Sequence, residues 1–89
     1  MRTFQLQPTN GRKSFYNKCH VNQYEVDGET YSDLISHGKR VAYYNHTENY
    51  MNVLGWFSAT TAIHINHFLE FYGFEKATKE QMKNWKQTA

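Results

Sequence analysis

The sequence predicts an α+β fold, in which an antiparallel sheet of four to five strands packs against one main helix at about residues 58–72 and a short terminal helix at about residues 78–86. Three observations predict it. Apolar and polar residues alternate with period two in several short segments before residue 57. Asp27-Gly28 is a strong hairpin signal, because both residues tolerate positive φ. From Ser58 onward the apolar spacing becomes helical. We expect the 89 residues to form a single domain, residues 1–89.

Turn residues divide the first half of the chain into strands. Phe4 and Leu6 alternate with polar residues in TFQLQ, and the following PTNG ends that strand because Pro8 lacks a backbone donor. Gly38 allows a bend or a bulge, and the polar run HTEN is typical of a turn. The predicted strands are residues 3–7, 14–26, 30–36, 40–45 and 50–56.

Two helices follow. Ser58 is a favourable N-cap for the segment ATTAIHINHFLEFYG, and Gly73 is placed to end that helix in a left-handed conformation. Thr78 and Gln81 have the spacing of a capping box at the start of the second helix. The apolar stripe of the main helix consists of Ala62, Ile65, Phe68, Leu69 and Tyr72, and that of the second helix of Met82 and Trp85.

Composition excludes several classes of protein. The net charge of +2 permits contact with nucleic acid but does not predict it. Cys19 is the only cysteine, so no intrachain disulfide forms, which is typical of a reducing, cytoplasmic setting. No apolar run is long enough for a signal peptide or a membrane span, and we therefore expect no membrane partner.

Three blocks of sequence carry a resemblance to a known family. The blocks are NGRKSFYNK, SHGKRVA and GWFSATTAIHINHFL. With them the chain resembles a family of small, uncharacterised proteins, a domain of unknown function, found in phages and in gut-bacterial mobile elements. The resemblance implies a shared fold, a phage-like origin and the cytoplasm of a bacterial host cell, and it implies no activity. Family members often have Ser-Tyr-x-Thr before the Val-Ala strand, whereas this chain has SHGK at residues 36–39.

The sequence offers little for catalysis or metal binding. His64 and His67 are three residues apart on the main helix, but a tetrahedral zinc site needs four ligands, and we expect neither a metal nor a cofactor. In this interpretation His64 bonds locally to Thr60, and His67 is solvated. Ser58 and His64 are six residues apart, which places them on different sides of one helix. No nucleophile elbow or carboxylate pair is evident, so the sequence predicts a protein that is not an enzyme.

Binding is better supported. The N-terminus of the main helix offers unpaired backbone N–H groups and the positive end of the helix dipole. If the run GRKSFYNK lies beside it, the two form an anion-binding surface. Each residue also has an ordinary structural role, as a cap, a first-turn hydroxyl or an exposed strand cation. The candidate partner- or anion-binding residues are Arg12, Lys13, Ser14, Tyr16, Lys18, Ser58, Thr60, Thr61 and His64.

Tyrosine is the second signal for binding. A two-layer fold buries only one face of its sheet fully, so some strand tyrosines must lie on the open face. Such tyrosines suit protein interfaces and also stack on single-stranded bases. The tyrosines in predicted strands are Tyr16, Tyr24, Tyr31, Tyr43, Tyr44 and Tyr50.

Two functions of different classes follow, with a small enzyme as a distant third. The first is a phage-type accessory protein that binds and modulates a host protein, such as a bacterial defence nuclease or its complex, in the manner of an anti-CRISPR. The second is direct nucleic-acid binding through the basic and aromatic run at residues 12–18. We favour the first, because nonspecific affinity for nucleic acid grows with the number of phosphates neutralised and this chain has few cations. The sequence does not indicate an oligomeric state.

Overall fold

The described residues form five strands and two helices. A computed structural model describes residues 2–5 and 19–85. The strands pair antiparallel in a single sheet, in the order in which they follow one another in the sequence. This confirms the predicted α+β class. The elements are β1 (Arg2–Gln5), β2 (Cys19–Val26), β3 (Glu29–Ser36), β4 (Lys39–Asn45), β5 (Tyr50–Val53), α1 (Ala59–Phe71) and α2 (Lys79–Lys83). The predicted strand positions 6–7 and 14–18 and the PTNG break lie outside the described residues.

The hairpin turns form where the sequence predicts them. Asp27 and Gly28 both have positive φ, at 51° and 81°, as a type I′ turn requires. His37 and Gly38 repeat the arrangement at 52° and 79°, so Gly38 belongs to a tight turn rather than to a bulge. The last predicted strand is shorter than expected and ends at Val53. The structure thus places the turns at residues 27–28 and 46–49 at one end of the sheet and the turn at residues 37–38 at the other.

A bulge lies between β3 and β4. Leu34 pairs with Ala42, but the next residue of β3 pairs with Arg40, so Val41 has no partner in the register. Val41 and Ala42 are consequently both buried on the helix side. Arg40 and Tyr43, three residues apart, thereby share the other face of the sheet, which simple alternation would not allow.

The core lies between the sheet and the helices. Strand side chains such as Val21, Leu34 and Met51 are fully buried against Ile65 and Phe68 of α1. The predicted apolar stripe of α1 is confirmed, with Ala62 and Tyr72 packing at its margins. The opposite face of the sheet carries neither of the two described helices, and its described side chains are half-buried or exposed except for the buried Asn45.

Both ends of α1 follow the local signals in the sequence. The Ser58 side chain accepts a hydrogen bond from the Thr61 amide, so Ser58 is the N-cap. Gly73 has a φ of 86°, its N–H donates to the Glu70 carbonyl, and the Phe74 N–H donates to the Leu69 carbonyl. These two bonds form a Schellman motif, which ends the helix as predicted.

Helix α2 is shorter than the sequence suggests. Thr78 and Gln81 form the predicted capping box, with both reciprocal hydrogen bonds present. The helix ends at Lys83, however, and not near residue 86. Trp85 leaves the helical path and donates a hydrogen bond from Nε1 to the Met51 carbonyl on β5, at 3.0 Å. A tertiary hydrogen bond thus replaces the last helical turn.

Candidate protein-interaction face

The open face of the sheet is the side that the described helices leave uncovered. Its residues follow from the strand register, because residues paired across an antiparallel ladder point to the same side. One row of paired residues crosses the sheet through Thr3, Asn22, Asp33, Tyr43 and Asn52. The next row contains Tyr24, Tyr31, Asn45 and Tyr50. These two rows of the open face are therefore polar and aromatic.

Four tyrosines on the open face form a continuous series of ring contacts across β2, β3, β4 and β5, which we call the tyrosine ladder (Tyr24, Tyr31, Tyr43 and Tyr50). The rings of Tyr24 and Tyr31 stack with centroids 5.6 Å apart. Tyr31 and Tyr43 are 6.3 Å apart, and so are Tyr43 and Tyr50. These distances fall within the range of favourable aromatic pairs. The ladder is a partly exposed surface whose rings hold one another in place.

Asp33 ties the polar groups of the open face together. The Tyr24 hydroxyl donates to Asp33 Oδ1 at 3.0 Å, and Arg40 Nε lies 3.2 Å from Asp33 Oδ2. The Arg40 guanidinium in turn lies over the Tyr43 ring, 4.4 Å from its centroid, which is a cation–π contact. One carboxylate, one guanidinium and two phenol rings are thus connected without a ligand, and the face is ordered before any partner arrives.

Local electrostatics favour the protonated form of two ladder hydroxyls, those of Tyr24 and Tyr31. Desolvation raises the pKa of Tyr24, and the hydrogen bond to Asp33 raises it further. The pKa of Tyr31 is also raised, first by desolvation and then by the negative charge of Glu29 beside it. At neutral pH Tyr24 and Tyr31 therefore present neutral phenols, which suit hydrogen bonding and packing more than proton transfer.

The residues predicted from the sequence lie elsewhere. Arg12, Lys13, Ser14, Tyr16 and Lys18 are outside the described residues. At the start of α1, Thr60 is exposed and Ser58 is half-buried. The structure thus keeps Thr60 available at the helix N-terminus, while the Ser58 hydroxyl already accepts the Thr61 amide.

Thr61 and His64 form a buried polar cluster with a residue of β3. Ser36 Oγ lies 2.8 Å from His64 Nδ1 and 3.2 Å from Thr61 Oγ1. His64 is 2% exposed and Ser36 is equally inaccessible. The rings of His64 and His37 are also in contact, with their centroids 5.6 Å apart. This cluster joins α1 to the end of β3, and a partner at the surface would reach Thr60 before either buried side chain.

A second buried cluster lies near the other end of α1. The Tyr72 hydroxyl donates to Ser32 Oγ at 2.8 Å, and Ser32 Oγ lies 2.7 Å from His46 Nε2. This arrangement is compatible with a neutral His46 whose Nε2 accepts from Ser32 and whose Nδ1 carries the proton. Desolvation lowers the pKa of His46. The cluster holds the β4–β5 turn against the helix.

The expectation that His67 is solvated is wrong. His67 is 8% exposed and its Nδ1 donates to the Ile63 carbonyl at 2.9 Å. The helix stripe is wider than the apolar residues alone indicate, since His67 lies beside Phe68 on the buried side of α1. Within the part of the chain that the structure describes, no three His, Cys, Asp or Glu side chains come together as metal ligands.

The chain also has a shallow concavity of about 590 Å³ beside α2, lined by residues that include Phe74, Ala77, Gln81 and Trp85. Its described lining contains no serine, threonine, cysteine or histidine. Its charged side chains are those of Glu75 and Lys76. Among the described helices, none is long and apolar enough to cross a membrane.

Sequence reasoning identified the strand tyrosines but not the site that they form. Tyr44 was among them, and the structure places its ring on the helix side, stacked on Tyr72 with centroids 4.7 Å apart. The missed residues are Asp33 and Arg40. A parity count across two paired strands would have indicated Asp33, but Arg40 reaches the face only because of the bulge.

Fold and face together define a small α+β protein with a preformed aromatic surface on its sheet. The chain belongs to a family of unknown function, DUF8033, which matches residues 4–84. No curated protein and no solved structure matches the chain. The family match agrees with the predicted membership of an uncharacterised family, while the phage origin implied by the resemblance stays a prediction.

Proposed function

We propose that this protein is a non-enzymatic binding module that docks on a partner protein through the open face of its sheet. The observation that supports the proposal is the tyrosine ladder. Its four rings come from four adjacent strands and contact one another in series. Tyrosine supplies a large contact area at a low cost in rotamer entropy, and rings held in place before binding reduce that cost further.

Charge favours a protein over a nucleic acid as the partner. Arg40 is the only lysine or arginine that the described strands place on the open face, and it is already bonded to Asp33. A surface that neutralises phosphates needs several available cations. The tyrosines could stack on single-stranded bases, but the Glu29 carboxylate on the same face would repel the backbone.

The narrower form of the proposal is that the partner is a host protein in a bacterial cytoplasm, with a defence nuclease as the target. This form rests on the resemblance to phage-borne proteins, and the open face supports only its first step, which is docking. A catalytic role gains no support, because the serines of the two described serine–histidine pairs, Ser32 and Ser36, are both buried.

The experiment compares capture of host proteins by the full-length chain and by two single variants, Tyr31→Ala and Tyr43→Ala. Half of each sample is treated with nuclease. Asn52→Ala is the matched control, since Asn52 pairs with Tyr43 on the same face and carries no ring. Thr60→Ala tests the N-terminus of α1 as the competing surface. Circular dichroism and thermal unfolding verify that each variant is folded.

We expect one partner that survives nuclease, is lost with both tyrosine variants and is retained with Asn52→Ala. A partner lost with Thr60→Ala and retained by folded tyrosine variants would overturn the proposal and identify the helix terminus as the surface. A partner that disappears with nuclease treatment would identify nucleic acid as the ligand.

A further inference from the structure

One arrangement of groups occurs on the open face once in full and once without its cation. In the first instance the Tyr43 ring, the Asp33 carboxylate and the Arg40 guanidinium form a triad. The guanidinium lies 4.4 Å from the ring centroid and 3.2 Å from the carboxylate oxygen. A cation held between an aromatic face and a carboxylate gains from both, because the ring quadrupole and the negative charge attract it together.

The second instance is the pair of Tyr31 and Glu29. The two residues are two positions apart on β3, so their side chains share the open face. The Glu29 carboxylate is fixed beside the neighbouring strand, where Asn45 Nδ2 donates to Oε1 at 3.2 Å. Its charge reaches the Tyr31 phenol, whose pKa it helps to raise. Among the described open-face residues, no lysine or arginine completes this pair as Arg40 completes the first.

The surroundings of the second pair strengthen its preference for a cation. Tyr24 stacks on Tyr31 with centroids 5.6 Å apart, and Tyr50 belongs to the same row. The two turns that bound this row carry the exposed acids Asp27 and Glu48. Aromatic faces and carboxylates therefore meet at one end of the open face, while Arg40 lies nearer the other.

We propose that the partner of the open face is a protein segment bearing an arginine or lysine, whose side chain lies on Tyr31 against Glu29 and repeats the internal triad of Arg40, Tyr43 and Asp33. This inference rests on the proposed function, since it names the chemistry of the partner that docks there. It commits to a cationic protein segment, because a phosphate or an acidic peptide would meet Glu29 and the two turn acids.

The test uses short synthetic peptides and the full-length protein, followed by two-dimensional NMR. One peptide alternates arginine with glycine, a second lysine with glycine, and a third glutamate with glycine. We expect the arginine peptide to shift the signals of Tyr24, Tyr31 and Tyr50 saturably, the lysine peptide to do so more weakly, and the glutamate peptide to leave them unchanged. Added salt should weaken binding, since the pair is partly exposed.

Two variants assign the effect to the second pair. Glu29→Gln should weaken binding of the arginine peptide about fivefold, whereas Glu75→Gln, an exposed acid of the α1–α2 connection with the same change of charge, should leave it unaltered. Tyr31→Phe should retain binding and Tyr31→Ala should lose it, because the ring and not the hydroxyl holds the cation.

The outcomes separate this inference from the proposed function. If the arginine peptide fails to shift the ladder, or Glu29→Gln and Glu75→Gln behave alike, the cationic partner is rejected. Docking on the open face still stands in that case, provided that Tyr31→Ala and Tyr43→Ala abolish capture of the host protein. If those two variants capture it normally, the proposed function fails as well.

Discussion

Ionisation of the Cys19 thiol should make the protein lose stability in alkaline solution. Cys19 is 1% exposed and lies within the apolar core. Burial raises its pKa from 9.0 to about 12, because a thiolate there would lose its hydration. The unfolded chain ionises near the ordinary value, while the native chain keeps its proton. A raised native pKa therefore stabilises the fold fully below pH 9, and that stabilisation is lost as pH rises toward 12.

The size of the loss follows from the difference between the two pKa values. Each pH unit above the ordinary thiol value favours the ionised, unfolded chain by about 1.4 kcal/mol. At about pH 10, one unit above 9.0, the cost is therefore about 1.4 kcal/mol. This is a substantial fraction of the free energy of unfolding that a domain of this size has.

Urea unfolding near neutral pH and near pH 10, under reducing conditions, measures the effect. Cys19→Ala is the reference, because alanine removes the titrating group while other ionisations are common to both chains. We expect the wild type to lose about 1.4 kcal/mol more than the variant between the two conditions. Parallel pH profiles of the two chains would refute the reasoning and show that the thiol is hydrated in the native state.

Three further predictions concern local contacts. Gly73→Ala should lower the free energy of unfolding by about 1 kcal/mol, because a φ of 86° strains alanine. The added Cβ has no atom within 4 Å, so the effect comes from the backbone alone. An unchanged melting temperature in thermal unfolding would contradict the Schellman assignment. Trp85→Phe should lower the free energy of unfolding, measured in urea, by about 1 kcal/mol, since it removes the hydrogen bond to the Met51 carbonyl. An unchanged free energy would mean that a water molecule takes the place of the indole N–H as donor. The pKa of His46, which is hydrogen-bonded to Ser32, is lowered in the folded chain. The resulting contribution to stability is complete above pH 6.5 and is lost as pH falls below that value. His46→Gln should therefore flatten the acid side of the stability profile.

Much of the fold could be predicted because its signals are local. Asp27-Gly28 specifies a type I′ turn with two adjacent residues, and Ser58 and Gly73 each mark a helix end through their own backbone geometry. The end of α2 was predicted too far along the chain, since the bond from Trp85 to Met51 joins residues far apart in sequence. No local pattern reports such a bond.

The candidate site depends on contacts between residues that are far apart in the sequence, so little of it could be predicted. The tyrosines could be assigned to strands from the sequence, but their order across the sheet could not, because it depends on the register of four strands. The bulge at Val41 changed the parity of β4, so simple alternation would have placed Arg40 and Tyr43 on opposite faces. The partners of His64 were equally hidden, because Ser36 lies on a strand that packs against α1 only in the folded chain.

The sequential order of the strands has a consequence for how the chain folds. Each described strand pairs with the next described strand in sequence, and β2–β3 and β3–β4 are closed by two-residue turns. Closing such short loops costs little chain entropy, so most of the sheet can assemble by zipping from the turns at residues 27–28 and 37–38. We expect a low contact order for β2–β4, rapid refolding, and a rate that is sensitive to substitutions in those two turns and insensitive to substitutions in the tyrosine ladder. Substitutions could then accumulate in the ladder without slowing the assembly of the sheet that presents it.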